Sequence, residues 1–146
     1  MTFVVPFDGS RLSEAALARA GEFHARFDEP VVAVSVIPKR NAEFARTRAG
    51  LDADGSPEPD VVAAQLRSIA TRIVPDAKFH YEIVGKYAQV SSIANRLRRV
   101  ARQLDATMVF IGSENAGQVV NSLSSVGSSI AADTAYDVVI VRHTGG

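Results

Sequence analysis

Two stretches of the chain carry residue types able to hold a sugar or an anion. The first is Pro6-Phe7-Asp8-Gly9-Ser10. The second begins at Gly112-Ser113-Glu114-Asn115-Ala116-Gly117 and continues to Gly127-Ser128-Ser129. Glycine lets a backbone approach a phosphate closely and adopt positive φ. Unpaired N–H groups at a helix start attract anions, and the Ser128 and Ser129 hydroxyls add donors. A nucleotide phosphate tail is the natural guest of such a segment. A small-residue loop that only turns the chain is the competing reading, and the residues balance the two. The segment lacks the lysine of a Walker-type loop and does not match the dinucleotide glycine pattern. Asp8 also has two readings. Its carboxylate can accept bonds from ribose hydroxyls or hold a divalent cation near phosphates, or it can cap the following helix. Glu114 opposes an anion site, because a carboxylate beside a phosphate costs binding free energy unless a metal intervenes or the side chain turns away. Asn115 reads as a turn residue.

Other chemistries are excluded or unsupported. The 146 residues include no cysteine, which removes disulfides, thiolate metal sites, iron–sulfur clusters and cysteine nucleophiles. His24, His80 and His143 are too far apart for a local metal motif. They read as a solvated helix residue, a half-buried strand residue and a tail residue, none with an evident acid or nucleophile partner. Arg96, Arg98, Arg99 and Arg102 read as a solvated helix face, with contact to an anion or partner as the weaker alternative. Lys+Arg and Asp+Glu are equal at 16 each, so the basic excess of a nucleic-acid binder is missing. The opening MTFVVPFDGS has no basic segment followed by a long apolar run, and apolar stretches are of strand length. Neither a secretory leader nor a membrane span is expected, and the cytoplasm is the expected compartment.

The elements that position these stretches follow from hydrophobic spacing. With 47% hydrophobic and 22% charged residues, the chain has globular composition. Phe3 to Phe7 and Val31 to Ile37 are continuously apolar, as strands buried on both faces are. Between them Leu12, Ala16, Ala20, Phe23 and Phe27 share one helical face. Residues 39 to 57 read as an insert or mobile loop with a short helix about Ala42 to Arg48. Pro59 suits the first turn of a helix whose stripe is Val62, Leu66, Ile69 and Ile73, and Pro75 stops it. Phe79 to Val84 alternates, as near a sheet edge. Val90, Ile93, Leu97, Val100 and Leu104 form the strongest stripe. Met108 to Ile111 is a strand ending at Gly112. The Gly/Ser-rich segment passes into a short helix through about Ala132, and Val138 to Val141 is the last strand. Parallel strands need such helical crossovers. The expected architecture is a three-layer α/β sandwich with a five-stranded parallel sheet, forming one domain over 1–146. Its ligands would bind at the strands' carboxyl ends.

With these residues in place, the chain resembles the universal stress protein family. Val4-Val5-Pro6-Phe7-Asp8-Gly9-Ser10 with Ser13 is similar to the family's first strand and helix start. Val34-Ser35-Val36-Ile37-Pro38 is similar to the end of its second strand. Ile111-Gly112-Ser113 through Gly127-Ser128-Ser129 to Val138-Val139-Ile140-Val141-Arg142 is similar to its glycine motif and last strand. The likeness spans essentially the whole chain. The family's motif is Gly, two residues, Gly, nine residues, then Gly-Ser or Gly-Thr. Gly117, nine residues, Gly127 and Ser128 reproduce its second part, whereas four residues separate Gly112 from Gly117.

The resemblance implies the adenine nucleotide alpha-hydrolase-like fold with strand order 3-2-1-4-5 and a homodimer formed through the last strand. It implies ATP or a related adenine nucleotide as ligand, in some members with a divalent metal such as Mg or Mn. It places Pro6, Phe7 and Asp8 against the adenosine, with Asp8 near the ribose. Val36 would offer backbone groups to the adenine edge, Gly112 would lie near the ribose and phosphates, and Gly117, Gly127, Ser128 and Ser129 would hold the phosphates. The expected function is a stress-response sensor or binding module. The alternatives are a nucleotide-free dimeric interaction protein of the same fold, favoured by the altered spacing and Glu114, and a nucleotide-using transferase, for which no general base or arginine finger is evident.

Overall fold

Helix and strand signals alternate along the chain, and so do the elements. In the computed structural model, which describes residues 1–51, 57–119 and 135–144, they run β1 (Thr2–Pro6), α1 (Arg11–Phe27), β2 (Val31–Pro38), α2 (Ala42–Arg48), α3 (Pro59–Ile73), β3 (Lys78–Val84), α4 (Val90–Gln103), β4 (Ala106–Gly112), a 3-10 helix (Ser113–Gln118) and β5 (Asp137–Val141). The expected helix through Ala132 lies outside the described residues. No described helix is long and apolar enough to cross a membrane.

All strand pairs are parallel, in the order β3-β2-β1-β4-β5. The pleat sorts the apolar runs into two cores. Phe3, Val5, Phe7, Val31, Ala33 and Ile37 face α1, α2 and α3. Val4, Val32, Val34 and Val36 face α4 through Leu97, Val100 and Ala101. Continuously apolar strands are therefore the pattern of a sheet covered on both sides. The result is the three-layer sandwich with strand order 3-2-1-4-5. Edge-to-face packing of Phe110 on Phe3 and Phe23, at 5.5 and 5.0 Å between ring centroids, fills the first core.

Several sequence expectations are corrected at helix ends. Phe27 shares the α1 stripe by spacing but is 62% exposed, because α1 has there run past the sheet. Val90, at the start of the α4 stripe, is 70% exposed. His24 is not simply solvated. Its Nδ1 lies 2.7 Å from the Glu29 carbonyl oxygen and its Nε2 3.6 Å from Asp76, so it ties the end of α1 to two loops. Nor are the α4 arginines a free solvated face. Arg96 and Arg99 donate to Glu82 on β3, and Arg98 donates to the Gly117 carbonyl.

Candidate functional site

β1 and β4 are neighbours, yet α1 leaves β1 on one face of the sheet and α4 enters β4 from the other. A crevice opens where connections part in this way, beyond the carboxyl ends of the strands. The chain leaving β1 is held firmly there. The Phe7 N–H donates to the Val34 carbonyl at 2.8 Å, and the buried Ser35 hydroxyl donates to the Phe7 carbonyl. β1 pairs with β2 only as far as Pro6 opposite Val34, while β2 runs on to Pro38. Backbone groups alternate sides along a strand. The Val36 N–H and C=O therefore face the side where β1 has already ended.

Asp8 follows at the rim of this crevice. Gly9 then turns the chain with φ +81°, and a Cβ there would lie 2.1 Å from the Arg48 carbonyl oxygen. Only glycine fits both the angle and the approach. The end of α2 is thus docked backbone to backbone on the Asp8–Ser10 turn. Ser10, not Asp8, is the N-cap of α1. Its Oγ accepts from the Ser13 N–H at 3.3 Å, while the Ser13 hydroxyl donates to the Ser10 carbonyl at 2.9 Å.

Asp8 is used differently. Its Oδ1 accepts the Ser10 N–H at 2.9 Å, an Asx-type turn. Its Oδ2 accepts from Asn115 Nδ2 at 3.1 Å and lies 3.6 Å from Arg48 Nη1. Burial pushes the Asp8 carboxyl up, but hydrogen bonds from Ser10, the Arg48 charge and the Asn115 amide together outweigh it and hold it below the ordinary carboxylate value. It stands as a carboxylate in a half-apolar cleft.

The cleft encloses a cavity of about 80 Å³. Pro6, Phe7 and Asp8 form its floor and Val34 and Val36 one wall. Ile93 and Leu97 of α4, Phe44 of α2 and Asn115 complete the lining. Of the residues assigned from sequence, the structure brings Pro6, Phe7, Asp8 and Val36 together here. Gly112 stands at the end of β4, where a Cβ would come within 2.8 Å of the Leu12 Cβ, so its smallness lets α1 lie close to β4. Gly117 is exposed, with open space about the position of a Cβ, and its carbonyl accepts from Arg98 Nη2 at 3.4 Å. Gly127, Ser128 and Ser129 lie outside the described residues. Glu114 is exposed, and its neighbour Asn115 is the residue that reaches Asp8.

Val34, Ile93 and Leu97, legible only as strand and helix-stripe positions, and Phe44, Arg48 and Asn115 are site residues that the sequence did not assign. Phe44 is the only large apolar residue of a short polar helix, which marks it as that helix's buried side. Asn115 was legible only as a turn residue. Arg48 carries no local signal, since its partner is 40 positions away. Among the described residues no group of three or more His, Asp or Glu side chains could hold a metal ion.

A parallel sheet covered on both faces, with a carboxylate-rimmed cleft at its switch point, defines a doubly wound α/β protein. The universal stress protein family model matches residues 1–142, and the chain belongs to that family. Solved structures share the fold. A universal stress protein in complex with cAMP is 18% identical at a TM-score of 0.56, over 97% of this chain and 96% of that one. One from Archaeoglobus fulgidus in complex with dAMP is 14% identical at 0.53, over 97% and 95%. UspA from Lactobacillus plantarum is 18% identical at 0.52, over 97% of both chains. No curated protein matches the sequence significantly.

Proposed function

We propose that this protein is a cytoplasmic stress-response module that binds ATP or a related adenine nucleotide in the Asp8 cleft. The observation that carries the reading is the cleft's composition. An ionised, three-partnered carboxylate stands at the rim of an apolar slot, beside the outward-facing Val36 backbone. A heterocycle suits the slot, its ring edge the Val36 N–H and C=O, and its ribose hydroxyls the Asp8 oxygens. Gly112, Gly117, Gly127, Ser128 and Ser129 are assigned to the ribose and phosphates on the family resemblance, with Mg or Mn as companion of a triphosphate. Family neighbours whose structures contain cAMP and dAMP support the ligand class. A homodimer paired through β5 is part of the same proposal.

The test is thermal unfolding with and without ATP and magnesium, joined to mass spectrometry of nucleotide released from the purified protein. A ligand at ~100 times its dissociation constant stabilises by about 2.7 kcal/mol, and Asp8→Asn is expected to abolish most of that shift. No shift and no co-purified nucleotide would overturn the reading. One observation favours the nucleotide-free alternative. At about 80 Å³ the cavity is small against the ~300–1,000 Å³ of typical ligand sites. That alternative predicts an unchanged melting temperature at millimolar ATP.

A further inference from the structure

We propose that Arg48 is the anion-reading residue of the cleft, ranking a phosphorylated nucleoside above the unphosphorylated one. The inference rests on the adenine-nucleotide reading and adds a residue that neither that reading nor the glycine segment supplies.

Placement comes first. Arg48 ends α2, which is anchored in the core by Ala45 and Ala49, both essentially inaccessible. Its own carbonyl sits where a Cβ on Gly9 would be. The Arg48 backbone is therefore fixed relative to Asp8, although the two are 40 residues apart in sequence. Orientation comes second. Arg48 Nη1 and Asn115 Nδ2 converge on the same Asp8 oxygen, at 3.6 and 3.1 Å. The cation consequently lies beside both the acid assigned to the sugar and the Asn115 amide in the first turn after β4.

Availability is the third point. At 3.6 Å the contact with Asp8 is an ion pair too long for a hydrogen bond. No hydrogen bond runs from the guanidinium to any other described residue, and the side chain is 38% exposed. Among the described residues nothing else engages its planar set of N–H donors, the set with which guanidinium groups bind a phosphate in bidentate fashion. A compensating need is also present. Asp8 is itself a carboxylate in the cleft, and the cation beside it offsets its repulsion of a bound phosphate. When a ribose hydroxyl takes over the Asp8 oxygen, Arg48 can turn to the anion with little movement.

The experiment is calorimetric titration of the full chain with adenosine and with AMP at low salt, for the wild type, Arg48→Gln and Arg48→Lys. The wild type is expected to bind AMP about tenfold tighter than adenosine, roughly the worth of one charge-assisted bond at a partly exposed site. Arg48→Gln brings the ratio close to one, and Arg48→Lys restores part of it because it keeps the charge. A ratio unchanged in Arg48→Gln, or close to one in the wild type, overturns the role of Arg48 and leaves the nucleotide reading standing. A wild type that binds neither ligand overturns that reading, and this inference with it.

Discussion

At the scale of single residues, Gly9 decides whether the cleft exists. Its φ of +81° places it in the left-handed region, and its missing Cβ makes room for the Arg48 carbonyl. In Gly9→Ala the new methyl must displace a backbone oxygen, not the tip of a flexible side chain, and a non-glycine residue at that angle adds ~1–2 kcal/mol. With the overpacking cost of ~1–3 kcal/mol, the expected loss is about 2–5 kcal/mol in urea unfolding. Adenine-nucleotide binding should weaken as α2 lifts off the turn. A loss below about 0.5 kcal/mol would show that α2 is not seated as described. Asn115→Ala tests the same oxygen from the other side. It removes a neutral donor to a carboxylate that keeps Ser10 and Arg48, so a loss of about 1 kcal/mol is expected, with Asp8 still ionised at neutral pH.

Among the elements, β3 and α4 are joined through one carboxylate. Glu82 Oε1 accepts from Arg99 Nη2 at 2.9 Å and Arg96 Nη1 at 3.3 Å, and its Oε2 lies 3.1 Å from His80 Nε2. Burial pushes this carboxyl up, but the bonds from His80 and Arg99 and their charges outweigh it and hold it below its ordinary 4.5. A folded-state value that is depressed means stability fully present above 4.5 and lost as pH falls through the lower folded value. Asp8 acts in the same direction below its ordinary 3.8. Glu82→Gln should therefore flatten the acid limb of a stability–pH curve and cost about 1 kcal/mol at pH 7, since the arginines are partly exposed. An acid limb of unchanged steepness would remove Glu82 from that account. None of this link was legible in the sequence. The periodicity that placed Arg96 and Arg99 off the α4 stripe says nothing of what stands opposite them, and Glu82 alternates outward on its strand. The same limit applies to α2. Ala42 to Arg48 was readable as a short helix from its own residues, but its seat on Gly9 is a tertiary contact across the crossover. What the period-2 and period-3.6 patterns carried were the layers, whereas the Pro6-Phe7-Asp8-Val36 half of the cleft came from the family resemblance. The half built by Phe44, Arg48 and Asn115 depends on packing between distant segments.

For the whole molecule, the strand order among the described residues leaves two edges, β3 and β5, and their chemistry differs. β3 carries Lys78, His80 and Glu82, with the Arg96 and Arg99 guanidinium groups drawn onto Glu82. Charge at an edge discourages a second chain from adding to it. β5 bears its only charge at Asp137, then runs Val138-Val139-Ile140-Val141, with Ile140 38% exposed. An apolar edge with unpaired backbone groups is the better template for self-association, so the proposed homodimer belongs there and not at β3. Light scattering coupled to size exclusion should then give twice the 15.6 kDa chain mass for the wild type. Ile140→Lys places a charge at the pairing edge on a partly exposed position, so it should yield monomers without loss of fold. Because the cleft opens beyond the strand ends and not along the β5 edge, the monomeric variant should keep the adenine-nucleotide affinity of the wild type. A wild-type monomer would refute the pairing, whereas a dimer untouched by Ile140→Lys and split by reversing the charge of Lys78 would move it to β3.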